Sequence, residues 1–272
     1  MRYMRRVLQV LLIALSAAAL APAASARDVP VDLELVLAVD VSGSVDHVEA
    51  RLQRDGYVQA LRHADVIKAI MSGILQRIAV AYVEWAGEAT QATIVDWTLI
   101  DSEGSAYALS KEIDGAPLTR GRFTSIHQAI RYAMPMFVDN GFEGTRRVID
   151  ISGDGPNNIG GLVTVARDMA LAQGIVINGL PIVNDRMNQF GPQLADLDLY
   201  YRDCVIGGPG AFIVVARNFQ DFARAVRRKL VLEIASPRPA HVPPPLFRRV
   251  SMGAPPCDAG EKRLRQRFLD HY

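Results

Sequence analysis

Hydrophobic positions along the chain switch repeatedly between continuous runs and a helical period. Residues 33–39 form an almost unbroken apolar run that ends at Asp40, which is typical of a strand buried on both faces. In residues 46–76 the apolar side chains recur at intervals of three and four, which predicts one long helix. Residues 93–99 are rich in β-branched and aromatic side chains, which favours an antiparallel edge strand.

The rest of the chain continues this alternation. Further strands are predicted at residues 78–85, 147–152, 175–182 and 211–216. Further helices are predicted at residues 105–113, 125–137, 162–173, 192–204 and 218–234. Such an order indicates a doubly wound α/β fold, with a mainly parallel sheet, one antiparallel edge strand and helices on both faces. Ligands bind such folds at the carboxyl ends of the strands.

The two ends of the chain differ from this body. Residues 1–26 combine three arginines, an apolar run at 7–20 and the sequence Ala24-Ser25-Ala26, which is typical of a cleaved export signal. The run is shorter than the roughly 20 residues that a membrane span needs. We therefore expect a periplasmic or secreted protein that is not an integral membrane protein. The general secretory route is the default, and the Arg5-Arg6 pair leaves the twin-arginine route open. Residues 27–235 are predicted to form one domain, followed by a Pro-rich tail at 236–272.

Charge argues against one class of partner. Without the first 26 residues the chain has 27 Lys and Arg against 29 Asp and Glu, a net charge of −2. The tail has seven basic and three acidic residues, which leaves −6 for the body. Nucleic-acid binding needs a dominant cationic surface, so no nucleic-acid partner is expected. A basic cluster in the last helix is predicted to be a solvent-exposed face, and it consists of Arg224, Arg227, Arg228 and Lys229.

The sequence contains two cysteines, Cys204 and Cys257. In an oxidising compartment this pair favours a disulfide over a metal site, because two thiolates without nearby histidines make an incomplete zinc site. The bond would tie the tail to the body. Closing a loop of about 50 residues is worth on the order of 4 kcal/mol in the chain-entropy model.

Oxygen-bearing side chains occur in three segments that follow a strand or begin a helix. Asp40, Ser42 and Ser44 follow the first strand, Thr124 precedes a helix, and Asp154 follows the strand at 147–152. We expect them to converge, because the strand ends meet at one edge of the sheet. Hard oxygen donors suit Mg²⁺ or Mn²⁺, with Ca²⁺ as a third candidate. Two hydroxyls and one or two carboxylates leave residual positive charge on the ion, which would attract an acidic residue of a protein partner.

This arrangement resembles the metal-ion-dependent adhesion site of von Willebrand factor A domains, and all five positions of that motif are present within residues 31–235. The resemblance implies a Rossmann-like sheet, metal-mediated protein binding and no catalysis. The chain is also similar to a bacterial secreted subgroup of that family that has Asp-Cys-Val-Ile-Gly-Gly, here residues 203–208, and a C-terminal cysteine. One departure is Gly153, inserted before Asp154, which leaves open whether Asp154 binds the metal directly or through water.

Several other polar residues allow more than one interpretation. Asn157 and Asn158, in the glycine-rich loop 153–161, are predicted to shape a turn beside the metal, and contact with the ligand is a weaker alternative. The loop lacks the features of a phosphate-binding loop. Asp150 and Glu84 lie in apolar strands, where a carboxylate needs a partner or a proton.

The sequence leaves three functions open. The leading hypothesis is an exported, adhesion-type module whose divalent cation bridges to an acidic group of a partner. The alternative is a metal-assisted phosphohydrolase with Asp40 as nucleophile, although such enzymes normally have a second acid where this chain has Ser42. The third is a structural envelope protein without metal.

Overall fold

The computed structural model describes residues 27–183, 193–235 and 253–269. Within these residues, strands β1, β2 and β3 are Val29–Val31, Glu34–Asp40 and Ile78–Trp85. The later strands are β4 (Gln91–Ile100), β5 (Phe142–Gly144), β6 (Arg147–Gly153) and β7 (Ile175–Pro181). The four longer predicted strands that begin at residues 33, 78, 147 and 175 are therefore confirmed, as is the strand at 93–99.

The described helices lie between and after these strands. They are α1 (His47–Leu61), α2 (Ala64–Met71), α3 (Glu103–Gly115), α4 (Ile126–Ala133), α5 (Val163–Ala172), α6 (Leu197–Tyr200), α7 (Phe222–Ala235) and α8 (Ala259–Leu269). A 3₁₀ turn, Met134–Phe137, extends α4, and a π-helical turn, Tyr201–Val205, extends α6.

The central sheet has the order β4-β3-β2-β6-β7, with a separate two-stranded sheet formed by β1 and β5. β2 pairs in parallel with β3 and β6, β6 pairs in parallel with β7, and β4 is antiparallel to β3. The predicted α/β class, with a mainly parallel sheet and one antiparallel edge strand, is confirmed. β2 is central, so its carboxyl end lies in the middle of the sheet edge.

Alternate side chains of β2 enter two hydrophobic cores. Leu35 and Leu37 pack in a core that includes residues of α1, α2, α3 and α7. Val36 and Ala38 pack in a second core, with residues of α4, α5 and α6. Because successive strand residues point to opposite faces, this division places helices on both sides of the sheet.

Three predicted elements differ from the structure. The single helix at 46–76 is two helices, because His63 adopts an extended backbone and its ring accepts a hydrogen bond from Asp65 N at 3.1 Å, which starts α2. The predicted strand at 211–216 forms only isolated parallel bridges, from Ile213 to Gly179 of β7 and from Ala216 to Ile182 just after it. The helix at 192–204 begins only at Leu197, and residues 184–192 lie outside the described part.

The tail contains a helix that the hydropathy pattern does not predict. α8 is polar and follows the disulfide between Cys204 and Cys257, whose Cα atoms lie 5.4 Å apart. The predicted disulfide is therefore present. The export signal at 1–26 and most of the Pro-rich segment, residues 236–252, lie outside the described residues. In the described ranges, no helix combines the length and apolar character that a bilayer span requires.

Candidate functional site

Asp40 occupies the last position of β2 and is fully buried. Its Oδ1 accepts a hydrogen bond from the backbone N of Ser42 at 2.7 Å, which turns the chain sharply after the strand. Its carbonyl accepts a bond of 3.2 Å from Gln53 Nε2 on α1. The carboxylate is thus held by its own loop, and the carbonyl by the helix that packs on β2.

Hydroxyl groups connect this loop to the end of β6. Ser42 Oγ and Ser44 Oγ lie 3.0 Å apart. Ser44 Oγ donates to Asp154 Oδ1 at 2.6 Å, although the two residues are 110 positions apart in the chain. The parallel pairing of β2 and β6 produces this contact, because it places both carboxyl ends at the same edge.

Thr124 also lies at this edge of the sheet, but its contacts differ from those of Ser44 and Asp154. Its backbone N donates to Asn158 Oδ1 at 3.0 Å, and its carbonyl accepts from Asn158 N at 2.8 Å. Thr124, Ser44 and Asp154 line one cavity of about 100 Å³, which we call the site cavity. Four predicted residues are therefore linked by contacts, and Thr124 joins two of them in the cavity wall.

The electrostatics of the two carboxylates are unfavourable without a cation. Burial, together with the charge of Asp154, raises the pKa of Asp40 well above its usual value. Burial also raises the pKa of Asp154 to about 6, and the charge of Glu49 adds to this, while the hydrogen bond from Ser44 acts against it. Asp40 Oδ2 is buried without a hydrogen-bond partner. Burying an unpaired carboxylate is costly, so the site favours an added positive charge.

The donor set fits a hard divalent cation. Two carboxylates and three hydroxyls offer the oxygen ligands that Mg²⁺ and Mn²⁺ prefer. No group of three or more His, Cys, Asp or Glu side chains in the described ranges could hold a metal ion. A metal at this place would therefore need the hydroxyls of Ser42, Ser44 and Thr124 to complete its coordination.

Tyr201 is a site residue that the sequence did not reveal. A Cβ atom built on Gly153 would lie 2.8 Å from both Asp40 Oδ2 and the Tyr201 hydroxyl, so the missing side chain lets both groups approach the end of β6. The Tyr201 hydroxyl is buried without a hydrogen-bond partner. Its pKa is raised well above the usual value, first by burial and then by the charge of Asp40. The inserted glycine was the only signal of this approach.

The two asparagines of the glycine-rich loop have different surroundings. Asn157 is fully buried; its Oδ1 accepts from His127 N at 2.9 Å, and its Nδ2 donates to Glu261 Oε1 of α8 at 2.7 Å. Asn158 lines the site cavity and holds the backbone of Thr124. Both contacts help to shape the loop beside the proposed metal position.

Asp150 and Glu84, the two acids in apolar strands that the sequence left unexplained, have cationic partners. Asp150 Oδ2 lies 2.8 Å from Lys229 Nζ, which lies 3.2 Å from Glu233 Oε2. Glu84 forms a buried ion pair with Arg54. The prediction of a solvent-exposed Lys229 is wrong: the side chain is 1% exposed, because it lies on the face of α7 that packs on the sheet.

Comparison with known proteins places the chain in a family. Residues 30–238 match the family described as "Protein of unknown function (DUF1194)". The chain belongs to the DUF1194 family. No curated protein matches it.

Solved structures share the fold of this DUF1194 protein at low identity. Proximal thread matrix protein 1 from the mussel byssus has 13% identity and a TM-score of 0.52, over 78% of this chain and 49% of that chain. The pilus adhesin SpaC from Lactobacillus rhamnosus GG has 13% identity and a TM-score of 0.53, over 77% and 31%. A von Willebrand factor type A protein from Catenulispora acidiphila has 12% identity and a TM-score of 0.51, over 75% and 43%. The chain spans about half the length of the mussel protein. These likenesses show the von Willebrand factor A fold.

Proposed function

We propose that this DUF1194 protein is an exported, metal-dependent protein-binding module of the adhesion type. Asp40, Ser42, Ser44, Thr124 and Asp154 would hold Mg²⁺ or Mn²⁺, with Ca²⁺ as a third candidate. The bound ion would bridge to a carboxylate of a protein partner. The pair of buried carboxylates, with Asp40 Oδ2 lacking any hydrogen bond, is the observation that carries this proposal.

The five proposed metal ligands differ in how deeply they are buried. Asp40 and Ser42 are fully buried, so they suit the task of holding the ion from below. Ser44, Thr124 and Asp154 line the site cavity, where a partner's carboxylate would enter. Because only one or two of the donors carry charge, the ion would keep the residual positive charge that attracts an acid.

Two structural relatives support this kind of function. One is a pilus adhesin, and the other is a matrix protein of the mussel byssus for which a structure with a zinc-occupied metal-ion-dependent adhesion motif exists. An exported location agrees with the signal-like residues 1–26 and with the disulfide, which persists in oxidising compartments.

The depth of Asp40 favours binding over hydrolysis. The side chain is 0% exposed and does not line the site cavity, which suits holding an ion from below better than attack by its carboxylate on a phosphorus atom. Ser42 stands where phosphohydrolases of this kind normally have a second acid. The metal-free structural protein is a separate outcome, which predicts no metal affinity at all.

Titration calorimetry with Mg²⁺ and Mn²⁺ tests the proposal. We expect Asp40→Asn to weaken metal binding by more than about 100-fold, since even the loss of a group that only orients a ligand costs about 10- to 100-fold. Glu112→Gln makes the same carboxylate-to-amide change at an exposed position of α3 and should leave the affinity unchanged. Equal affinity in both variants would overturn the site.

A second measurement separates binding from hydrolysis. Partner capture from envelope extracts should be abolished by a chelator and by Asp40→Asn, but retained by Glu112→Gln. Phosphatase turnover that disappears only in Asp40→Asn would instead establish the hydrolase.

A further inference from the structure

The ring of Tyr201 packs over two glycines of the central sheet. A Cβ atom built on Gly179 of β7 would lie 2.9 Å from Tyr201 Cδ1, and one built on Gly153 of β6 would lie 2.8 Å from the Tyr201 hydroxyl. Gly179 pairs with Ile151 of β6, two positions before Gly153. The ring therefore extends along the sheet towards the edge where β6 ends. Glycine at both positions permits this close approach, because a larger side chain would contact Tyr201.

The backbone around Tyr201 is held by several contacts. Tyr201 begins the π-helical turn, and its carbonyl accepts a hydrogen bond from Ile206 N at 3.0 Å. Arg167 Nη1 of α5 donates to the carbonyl of Cys204 in the same turn at 2.9 Å. The disulfide joins Cys204 to Cys257. The position of the Tyr201 hydroxyl is therefore defined by the turn, by a neighbouring helix and by a covalent bond.

The Tyr201 hydroxyl and Asp40 Oδ2 face the same point at the end of β6. Both oxygens lie 2.8 Å from the Cβ atom built on Gly153. Both side chains are fully buried, and neither oxygen has a hydrogen-bond partner among the described residues. Buried polar atoms are normally hydrogen-bonded, and two polar groups slightly too far apart for a direct bond are commonly joined by one water. A donor and an acceptor that match are therefore present at this point.

A neutral donor suits this position better than a cation. Asp40 Oδ1 accepts from Ser42 N at 2.7 Å, so a second donor at Oδ2 would fix the orientation of the carboxylate. A tyrosine hydroxyl keeps its proton at neutral pH and carries no charge. Lys229 beside Asp150 supplies a full positive charge instead. Tyr201 would therefore hold Asp40 while leaving its negative charge to a metal ion.

We propose that Tyr201 is a positioning residue of the metal site, whose hydroxyl donates through one buried water to Asp40 Oδ2. The inference rests on the proposed metal-dependent function. The bond would hold the carboxylate in one orientation and reduce the cost of its burial before an ion binds. Outer partners of this kind typically contribute about 10- to 100-fold to metal affinity.

Titration calorimetry with Mg²⁺ tests this contribution in the full chain with its disulfide formed. Tyr201→Phe removes the hydroxyl and keeps the ring, so we expect the Mg²⁺ affinity to fall about 10-fold. Tyr82→Phe is the matched control, because the Tyr82 hydroxyl is also buried without a partner among the described residues but lies in the other core, on β3. This variant should keep the wild-type affinity. Equal Mg²⁺ affinity in Tyr201→Phe and wild type would overturn the proposal.

Ultraviolet resonance Raman spectroscopy in chelator tests the hydrogen bond without the metal. The wild-type spectrum minus that of Tyr201→Phe isolates the tyrosine doublet of Tyr201, whose intensity ratio reports whether the hydroxyl donates. The same subtraction is made in the Asp40→Asn background, where Ser42 N retains the amide oxygen and an NH₂ group replaces the acceptor. We expect a donor signature that is lost in Asp40→Asn. A purely structural Tyr201 would have the same signature in both backgrounds, which would contradict the proposal.

The two proposals fail in different ways. If Asp40→Asn weakens Mg²⁺ binding but Tyr201→Phe does not, the metal site stands and the role of Tyr201 is wrong. If Mg²⁺ affinity is the same in wild type and Asp40→Asn while the Raman signature still depends on Asp40, the metal-dependent function is wrong. The positioning role then fails with it, and only the hydrogen bond remains.

Discussion

Two groups of buried carboxylates in this protein differ in what neutralises them. Asp150 and Glu84 each have a buried cationic partner, Lys229 at 2.8 Å in one case and Arg54 in the other. Asp40 and Asp154 instead raise each other's electrostatic cost, and no Lys or Arg in the described ranges bridges either of them. Each paired acid has a cation within the fold, although Asp150 Oδ1 has no hydrogen-bond partner among the described residues and burial raises the pKa of Asp150 to about 6. The acids at the sheet edge have no such cation in the described part of the chain and favour an ion from outside.

This difference separates acids that have a cation within the fold from acids that the proposed ion would compensate. A buried pair is costly to break because the remaining charge is left without compensation. Two like charges are costly to keep, and removing one of them should relieve the fold. The same chemical change, loss of one charge, is therefore expected to have opposite effects on the stability of the metal-free protein in the two regions.

The largest expected effect is on the ion pairs. Lys229→Met leaves Asp150 and Glu233 without their shared cation and should lower the free energy of unfolding by about 3–5 kcal/mol. Urea denaturation followed by circular dichroism measures the loss. Arg228→Gln removes a neighbouring charge that is exposed, and it should change stability by less than about 0.5 kcal/mol. Similar losses in both variants would contradict a structural role for Lys229.

This pairing also shows where sequence reasoning stopped. The strands and the edge position of Asp40, Ser44 and Asp154 follow from hydrophobic runs and from the rule that parallel strands end at one edge. Lys229 was placed with its basic neighbours on the surface because a run of like charges usually faces solvent. Its position on the apolar face of α7, beside Val226 and Leu230, was visible in the periodicity.

Other features had no local signal. The break between α1 and α2 depends on the ring of His63 acting as a cap, which is unusual for histidine. α8 is short and polar, and only Ala259 and Gly260 among its residues are buried, so no amphipathic pattern predicts this helix. Its place beside the candidate site depends on a disulfide and on a contact between residues 104 positions apart.

The next effect concerns the close approach at Gly153. Gly153→Ala places a methyl group 2.8 Å from Asp40 Oδ2 and from the Tyr201 hydroxyl, so it should destabilise the protein by about 1–3 kcal/mol and weaken metal binding. Thermal unfolding and calorimetry measure the two effects. Gly155→Ala is the matched control, since its added methyl group would have 3.8 Å to its nearest neighbour, Thr124 Oγ1. If Gly153→Ala changes neither stability nor metal affinity, the close approach of Asp40 and Tyr201 to this position is wrong.

Loss of one acid at the sheet edge should change the free energy of unfolding in the opposite direction to Lys229→Met. In chelator at pH 7.5, Asp40→Asn removes the repulsion with Asp154 and keeps an oxygen for Ser42 N, so we expect a stability gain of about 1 kcal/mol, the scale of one pKa unit. Urea denaturation of the metal-free variant and wild type measures it. A loss comparable with that of Lys229→Met would remove the contrast between the two regions.

The smallest expected effect is the change of that gain with pH. Asp154 has a folded pKa of about 6, above its ordinary 3.8, so its favourable contribution is complete below about pH 3.8 and disappears as the pH rises through 6. Asp40 shifts in the same direction. Wild type should therefore lose more stability than Asp40→Asn between pH 5 and pH 7.5, and the gain of the variant should grow over this range.

Metal addition turns this pH dependence into a test of the site. Saturating Mg²⁺ compensates both carboxylates in wild type, so it should reverse the order of the two proteins at pH 7.5 and have little effect at pH 5, where protons compete with the ion. Glu112→Gln should follow wild type at both values. If the gain of Asp40→Asn shrinks as the pH rises, the two acids do not share an electrostatic cost. The sheet edge would then be no different from the ion pairs.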